Sequence, residues 1–431
     1  DDVHISEAAR ELTGTAEREE YEGRRQEWSA ILLGELEKAV AIQAQYPMLR
    51  HREVERAVLA TFLHSQPIGH KAYTRDLMVL LGQTRPDTIE LEKGLQRWTE
   101  VSWFLDEDVM EEDVTAGEQA MPHAWRLGSQ PNLTQMHHDA CENRVGPEMV
   151  ELHLVQSIQQ LTSLTAGAKG AGARVHMMPD SPGDVKDDGE FHYVILPPEA
   201  ACRMQSGSDQ IAELPVRFLT ETTTPDRPRV NDNALVLVGP SVSGLATARE
   251  NVRQVLGWEE VRSQLKKQNV GEHDPLRWQI LLNRLNTARK AIPGAIRQAY
   301  TVVVTMSERK EVEAFRVKVE DKPLFATIKA DRRARIQETA INAEALLPGG
   351  PYELWAEGET SRWLKDLVDA FAQNPRLPKM LNQRAILDTL VQGCQDGLFV
   401  LRLQTADGPP RTFWRSRPES ELLDNPAMEV V

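Results

Sequence analysis

Cysteine is scarce in this 431-residue chain. Its three cysteines, Cys141, Cys202 and Cys394, lie far apart and form no CxxC. That pattern argues against a zinc ribbon and for a reducing compartment. Gly (26) and Pro (25) are too few for a collagen-like or low-complexity chain. No run of 18 apolar residues occurs, so no membrane span and no membrane partner are expected. The first residues are acidic and polar, unlike a signal peptide. GxSxG, HExxH, DxDxDG and paired His/Cys arrangements are all missing, so no catalytic residue, metal site or cofactor is expected within the chain. The opening stretch DDVHISEAARELTG has no initiator Met, and a fragment of something longer is expected.

Hydrophobic residues make up 41% of the chain, enough to bury a sizeable core. At roughly 100–200 residues per domain the length allows about two to four domains. The formal charge of −15 argues against a general nucleic-acid coat but leaves room for one local basic patch.

The pattern predicts a mixed α and α/β multidomain chain, with two winged-helix-like modules flanking a central α/β domain. Residues 1–49 read as a helical segment with a solvated face, carrying eleven acidic and five basic residues up to position 40. Residues 50–130 read as helix, helix, helix, strand (101–105, VSWFL), long loop, strand (124–127), the order of a winged helix. Pro67 to Gly69 breaks its first helix, and Asp87 is placed to cap its third. The charge of this module opposes DNA binding, with nine basic against fourteen acidic residues over 50–128. The would-be wing, 106–118, holds seven acids and no Lys or Arg. Phosphates are bound by cations, so packing or protein contact is the reading for this module.

Residues 131–173 read as a helical linker, with Pro131 at a helix start and a Gly/Ala-rich break at 166–173. Residues 174–330 read as the α/β domain. Strands are expected at 175–178, 193–196, 216–219, 234–238 and 300–305, with a hairpin from 312–319 and 324–328. Helices are expected at 244–265 and at 274–292, the second stopped by Pro293-Gly294. Residues 331–418 read as the C-terminal winged-helix-like module. Helices are expected at 336–347 and 361–371, a short helical turn at 377–381, and a helix over 386–391 capped by Asn382 and ended by Gly397. A hairpin then turns through 406–410. Residues 419–431 read as a loose tail.

This last module has the opposite charge, nine basic against five acidic residues over 360–418. Arg402, Arg411, Arg415 and Arg417 fall on or beside its wing, and Arg384 on the preceding helix. Phosphate contact with double-stranded DNA is physically sensible there. The other reading is a solvated surface or a subunit contact.

Three further strings bear on possible chemistry. ALVLVGPSVSGLAT (234–247) has the glycine spacing and the strand–loop–helix setting of a phosphate loop. Leu245 and Ala246 stand where that loop needs Lys and then Ser or Thr, so a plain strand–helix turn is expected, with weak anion affinity at most. His137 and Cys141 lie one helical turn apart, but two ligands do not make a metal site. Arg227 and Arg229, in PDRPRVNDN, sit in a loop leading into the strongest apolar strand, where either a turn or an anion contact fits.

Three stretches carry a family resemblance. They are SWFLDED followed by AWRLGSQPNLTQM (124–136), PDRPRVNDNALVLVGPS (225–241), and LATARENVRQVLGWEEV (245–261). Residues 59–265 resemble the part that follows the nucleotide-binding core in a family of large AAA+-type ATPases from phage-defence gene clusters, related to the BREX-type ATPases. Weaker likeness continues through AIRQAY (295–300) and 336–399. The resemblance implies a cytoplasmic ATPase whose ATP and Mg site lies upstream, acting on foreign DNA with protein partners of a defence complex. This chain has no matching Walker segment. It would then be the C-terminal portion of such a protein, coupling an upstream nucleotide site to DNA or to partners. The alternatives are a non-catalytic adaptor and, least favoured, a free-standing enzyme with a degenerate phosphate loop.

Overall fold

The computed structural model describes residues 28–65, 70–106, 121–128, 130–204, 210–224, 226–339, 341–405 and 408–431. The acidic N-terminal stretch up to 27, the break at 67–69, nearly all of the acidic wing and the Ala406-Asp407 turn lie outside them. The chain is mixed α and β and divides into two compact units. One is Asp1–Gly146 with Gln254–Asn286; the other is Pro147–Arg253 with Thr287–Val431.

The first unit carries helices α1 (Trp28–Gln43), α2 (Glu53–Ser65), α3 (Thr74–Gly82), α4 (Thr88–Val101) and α5 (Leu133–Asn143). A two-residue strand β1 (Ala72–Tyr73) pairs antiparallel with β2 (Ala124–Trp125). Asp87 caps α4 as expected, its side chain accepting from Glu90 N at 2.9 Å. Residues 101–105 are not the expected strand. Val101 is still helical, and only a narrow antiparallel bridge joins Leu105 to Leu127. The core is built from the inward stripes of α1 to α4, with Trp98 stacked on Trp125 at 5.3 Å. Glu35 is buried in it and accepts from the Trp98 indole N–H (2.8 Å), Trp103 N (3.0 Å) and Lys38 (2.8 Å). Three donors are what a buried carboxylate needs.

The second unit opens with α6 (Pro147–Gln160) and is organised by a five-stranded sheet. Its strands are β3 (Arg174–Met177), β4 (His192–Ile195), β5 (Leu235–Gly239), β6 (Val302–Met306) and β7 (Val312–Arg316), in that spatial order. β3, β4 and β5 are parallel, and β6 and β7 are antiparallel, an α/β arrangement as expected. β5 and β6 are buried at every residue, which explains their unbroken apolar runs. α7 (Glu213–Thr220) covers one face through Phe218 and Leu219. The long helices α8 (Val242–Lys267) and α9 (Pro275–Ala299) follow, then α10 (Leu324–Ala330). The residues 254–267 and 275–286 of α8 and α9 belong to the first unit.

The chain then forms β8 (Ile336–Gln337), a 3-10 turn at Ala343–Leu346, β9 (Arg362–Trp363), α11 (Leu364–Gln373), β10 (Lys379–Met380), α12 (Arg384–Asp396), β11 (Leu401–Leu403), β12 (Arg411–Phe413) and β13 (Met428–Val430). β8 and β10 pair in parallel. The other four form an antiparallel sheet in the order β12-β11-β13-β9.

Several expectations are corrected here. Residues 216–219 are helical in α7 and 324–328 in α10; only Phe218 and Leu219 of the first run, and Leu324, Phe325 and Ile328 of the second, are buried. Pro293 does not stop α9, which continues to Ala299 with the proline ring on the exposed side. Where a helix was expected at 336–347, Ile336–Gln337 are a strand and Ala343–Leu346 a 3-10 turn, and 377–381 contain β10. Residues 419–431 are not a loose tail. Met428 and Val430 are fully buried, and β13 lies between β11 and β9. Gly397 ends α12 with φ of 82°, as expected, but the N-cap is Gln383, and Asn382, one residue earlier, accepts from Arg384 N at 2.9 Å.

Candidate functional site

Of the arginines named from the sequence, Arg402, Arg411, Arg415 and Arg417 lie on or beside the β11–β12 hairpin. Leu401 and Leu403 face inward, so strand alternation turns Arg402 outward. Its cross-strand partner on β13 is Glu429, and the two form an ion pair at 2.7 Å. Gln404 also donates to Glu429. Burial opposes the Glu429 charge, but these bonds outweigh it and hold the carboxyl below its ordinary range. Arg402 is therefore spent on its cross-strand partner Glu429.

Arg411, Arg415 and Arg417 are exposed. The Arg411 guanidinium lies over the Phe413 ring at 5.6 Å, and that of Arg415 over Trp414 at 4.8 Å. Trp414 is itself 55% exposed. Arg415 takes a left-handed φ of 53°, unusual for a residue with a Cβ, and its N–H is tied to Cys394 O at 2.9 Å. The hairpin thus presents planar cations on aromatic faces at a fixed backbone position. Arg384 is exposed at the first turn of α12.

Arg229 and Arg227 part company. Arg229 is buried and donates to four backbone carbonyls: Phe218 (3.0 Å), Val185 (3.0 Å), Pro182 (3.2 Å) and Lys186 (3.3 Å). Burial lowers its pKa, with Asp187, Asp188 and Asp232 opposing. It ties the 182–186 segment to α7, and its donors are spent on protein. Arg227 is exposed in a turn closed by Thr222 N to Arg227 O.

His137 and Cys141 sit in the first unit. His137 stacks on Trp258 at 4.0 Å and its Nε2 meets Gln254 O at 2.9 Å and Cys141 Sγ at 3.4 Å. This is packing against α8. Among the described residues no group of three or more His, Cys, Asp or Glu is placed to hold a metal.

Two polar constellations had no signal in the sequence. On the neighbouring parallel strands β3 and β4, His192 Nδ1 meets His176 Nε2 at 2.9 Å, and Asp188 Oδ1, in the segment before β4, meets His192 Nε2 at 3.0 Å. Protonating His192 Nε2 toward Asp188 leaves its Nδ1 to accept from His176, so the carboxylate orders both rings. Arg174 pairs with the second Asp188 oxygen at 2.5 Å. The second constellation joins β10 to the start of β5 through Lys379, Asn233 and Asp232. Residues 16 or 146 positions apart meet only when the sheet forms, so no local spacing could have marked either group.

In comparisons with protein-family models, with curated proteins and with solved structures, nothing matches this chain.

Proposed function

We propose that this chain is a non-catalytic coupling region that contacts the sugar–phosphate backbone of double-stranded DNA through its C-terminal hairpin. The observation that carries the reading is the pair of exposed arginines on aromatic faces, Arg411 over Phe413 and Arg415 over Trp414, with Arg417 beside them. Arginine is weakly hydrated and planar, suited to bridging phosphate oxygens, and an aromatic face beneath it supports the cation. The order β9, α11, α12, β11, β12 supports a winged-helix-like module, with the hairpin as its wing. The order β1, α3, α4, then β2 supports a second such module in the first unit. The resemblance to defence-associated ATPases gives this contact its use, with ATP and Mg held upstream, protein partners alongside and a cytoplasmic setting.

The test is fluorescence anisotropy of a labelled duplex at about 50 and about 200 mM salt, the range over which phosphate contacts are lost. Wild type should bind with a log–log salt slope of about −3 if three arginines contact phosphates. Arg411→Glu/Arg415→Glu should abolish binding. No binding by wild type at either salt refutes the reading.

One observation favours the adaptor as second reading. Helices α3 and α4 expose Val79 (70%), Leu80 (48%) and Ile89 (64%), large apolar side chains suited to a protein partner. Pull-down of a defence-complex protein that fails with Val79→Asp/Ile89→Asp would support it.

A further inference from the structure

The strand–helix turn at 239–244 lacks the lysine and hydroxyl of a phosphate loop, yet it borders an open pocket of about 220 Å³. Ser243, Gly244, Thr247, Gln298, Thr301 and Arg316 line it. It lies at the C-terminal end of β5, where the sheet changes from parallel to antiparallel. Crevices outside the carboxyl ends of parallel strands are where such sheets bind ligands.

Four features of the pocket agree in sign. It sits at the N-terminus of a 26-residue helix, and the Ser243 N–H there has no backbone acceptor among the described residues. Thr301 is 8% exposed, lines the pocket, and its hydroxyl has no hydrogen-bond partner among the described residues. Arg316, on β7 opposite Val302, is exposed and forms no ion pair among the described residues. No carboxylate lines the pocket, although the chain carries a net charge of −15. Gly244 itself is explained by packing: a Cβ there would lie 2.6 Å from Ala299 Cα. The ligand argument therefore rests on Thr301, Arg316 and the helix end, not on the glycine.

We infer that this pocket binds a tetrahedral phosphate group, held by Ser243 N–H, the Thr301 hydroxyl and the Arg316 guanidinium. The same chemistry is offered by free inorganic phosphate and by the phosphate of a nucleotide. The site is independent of the hairpin.

The test is isothermal titration of the full chain with inorganic phosphate, and in a second arm with AMP, at ionic strength held constant with chloride. Two variants spare the fold: Arg316→Gln on the surface and the nearly isosteric Thr301→Val. Saturable binding of either ligand at one site per chain is expected, weakened about tenfold or more by Arg316→Gln and measurably by Thr301→Val. The arm that saturates at lower concentration identifies the source of the phosphate. Arg411→Glu/Arg415→Glu should bind as wild type does. Absence of saturation in both arms, or equal affinity in wild type, Arg316→Gln and Thr301→Val, overturns the assignment.

Discussion

Lys379 Nζ donates to Asn233 Oδ1 across 2.6 Å, with both side chains fully withdrawn from solvent. The Asn233 amide is fixed from its other side, where Nδ2 donates to Phe371 O (2.8 Å) and Leu377 O (3.1 Å). One amide at the lip of the central sheet thus fastens α11, the turn after it and β10. Burial pushes the Lys379 pKa well below its ordinary 10.5, Arg335 adds to the shift, and Asp232 opposes it.

Asn233→Ala removes the acceptor and two donors at once. It should destabilise the chain by about 2–4 kcal/mol in urea denaturation. Lys379→Met, which takes away the amine instead of stranding it, should cost less than half as much. The lysine also has a pH signature. The unfolded chain holds its proton up to about 10.4 and the folded chain releases it earlier, so the unfolded state binds more protons in between. Wild-type stability should gain from this group as pH rises through that window, and Lys379→Met should lack the gain.

The histidine pair predicts an acid dependence of the same sign. Burial is the main cause of lowered pKa values at both His176 and His192. For His176 the neighbouring His192 and Arg174 add to the effect, and for His192 the Asp188 bond opposes it. Arg229 also disfavours charge on both rings. Folded-state values below 6.5 mean that the unfolded chain takes up protons first, so stability should fall as pH drops below 6.5. Denaturant midpoints measured across that range should decline more steeply for wild type than for His176→Gln. An equal decline in both would show that the pair does not titrate in this way.

Gly244→Ala should destabilise by about 1–3 kcal/mol, because the new methyl meets backbone at Ala299 that no side-chain rotation can move. The matching change at Gly82, where a Cβ meets nothing within 4 Å, should be harmless or slightly stabilising. Thermal midpoints of the two variants give the comparison.

Glu35→Leu should cost the first unit about 2–4 kcal/mol, since the Trp98 indole N–H and the Trp103 amide would be left without their acceptor. Tryptophan emission followed through urea denaturation would report it.

Long apolar elements were legible from residue order. The runs that became β5 and β6, the helices α8 and α9, and the caps at Asp87 and Gly397 all declare themselves locally. Short apolar runs did not. VRFL at 216–219 is short enough to read as a strand or as part of a short helix, and only the packing of Phe218 and Leu219 against the sheet decides between them. LPKML misled because a lysine in a two-residue strand gives no hint of full burial; the acceptor that permits it, Asn233, lies on another element. Of the arginines named beforehand, Arg411, Arg415 and Arg417 are exposed on or beside the hairpin. Arg402 and Arg229 found protein acceptors that could not be read from spacing. For Arg402 that acceptor is Glu429, in a stretch whose alternation, Met-Glu-Val, is too short to stand out.

That short stretch sets a timetable. β13 is the strand that joins β9 to β11, so β9 has no neighbour in its sheet until Met428 to Val430 have been made. During synthesis the helices α11 and α12 and the hairpin must wait, half assembled, while the central sheet upstream can already close. A chain that reaches past Leu403 but lacks Met428 to Val430 would leave β9 and β11 without their shared neighbour and expose Leu401 and Leu403, and a protease or chaperone would meet it in that state.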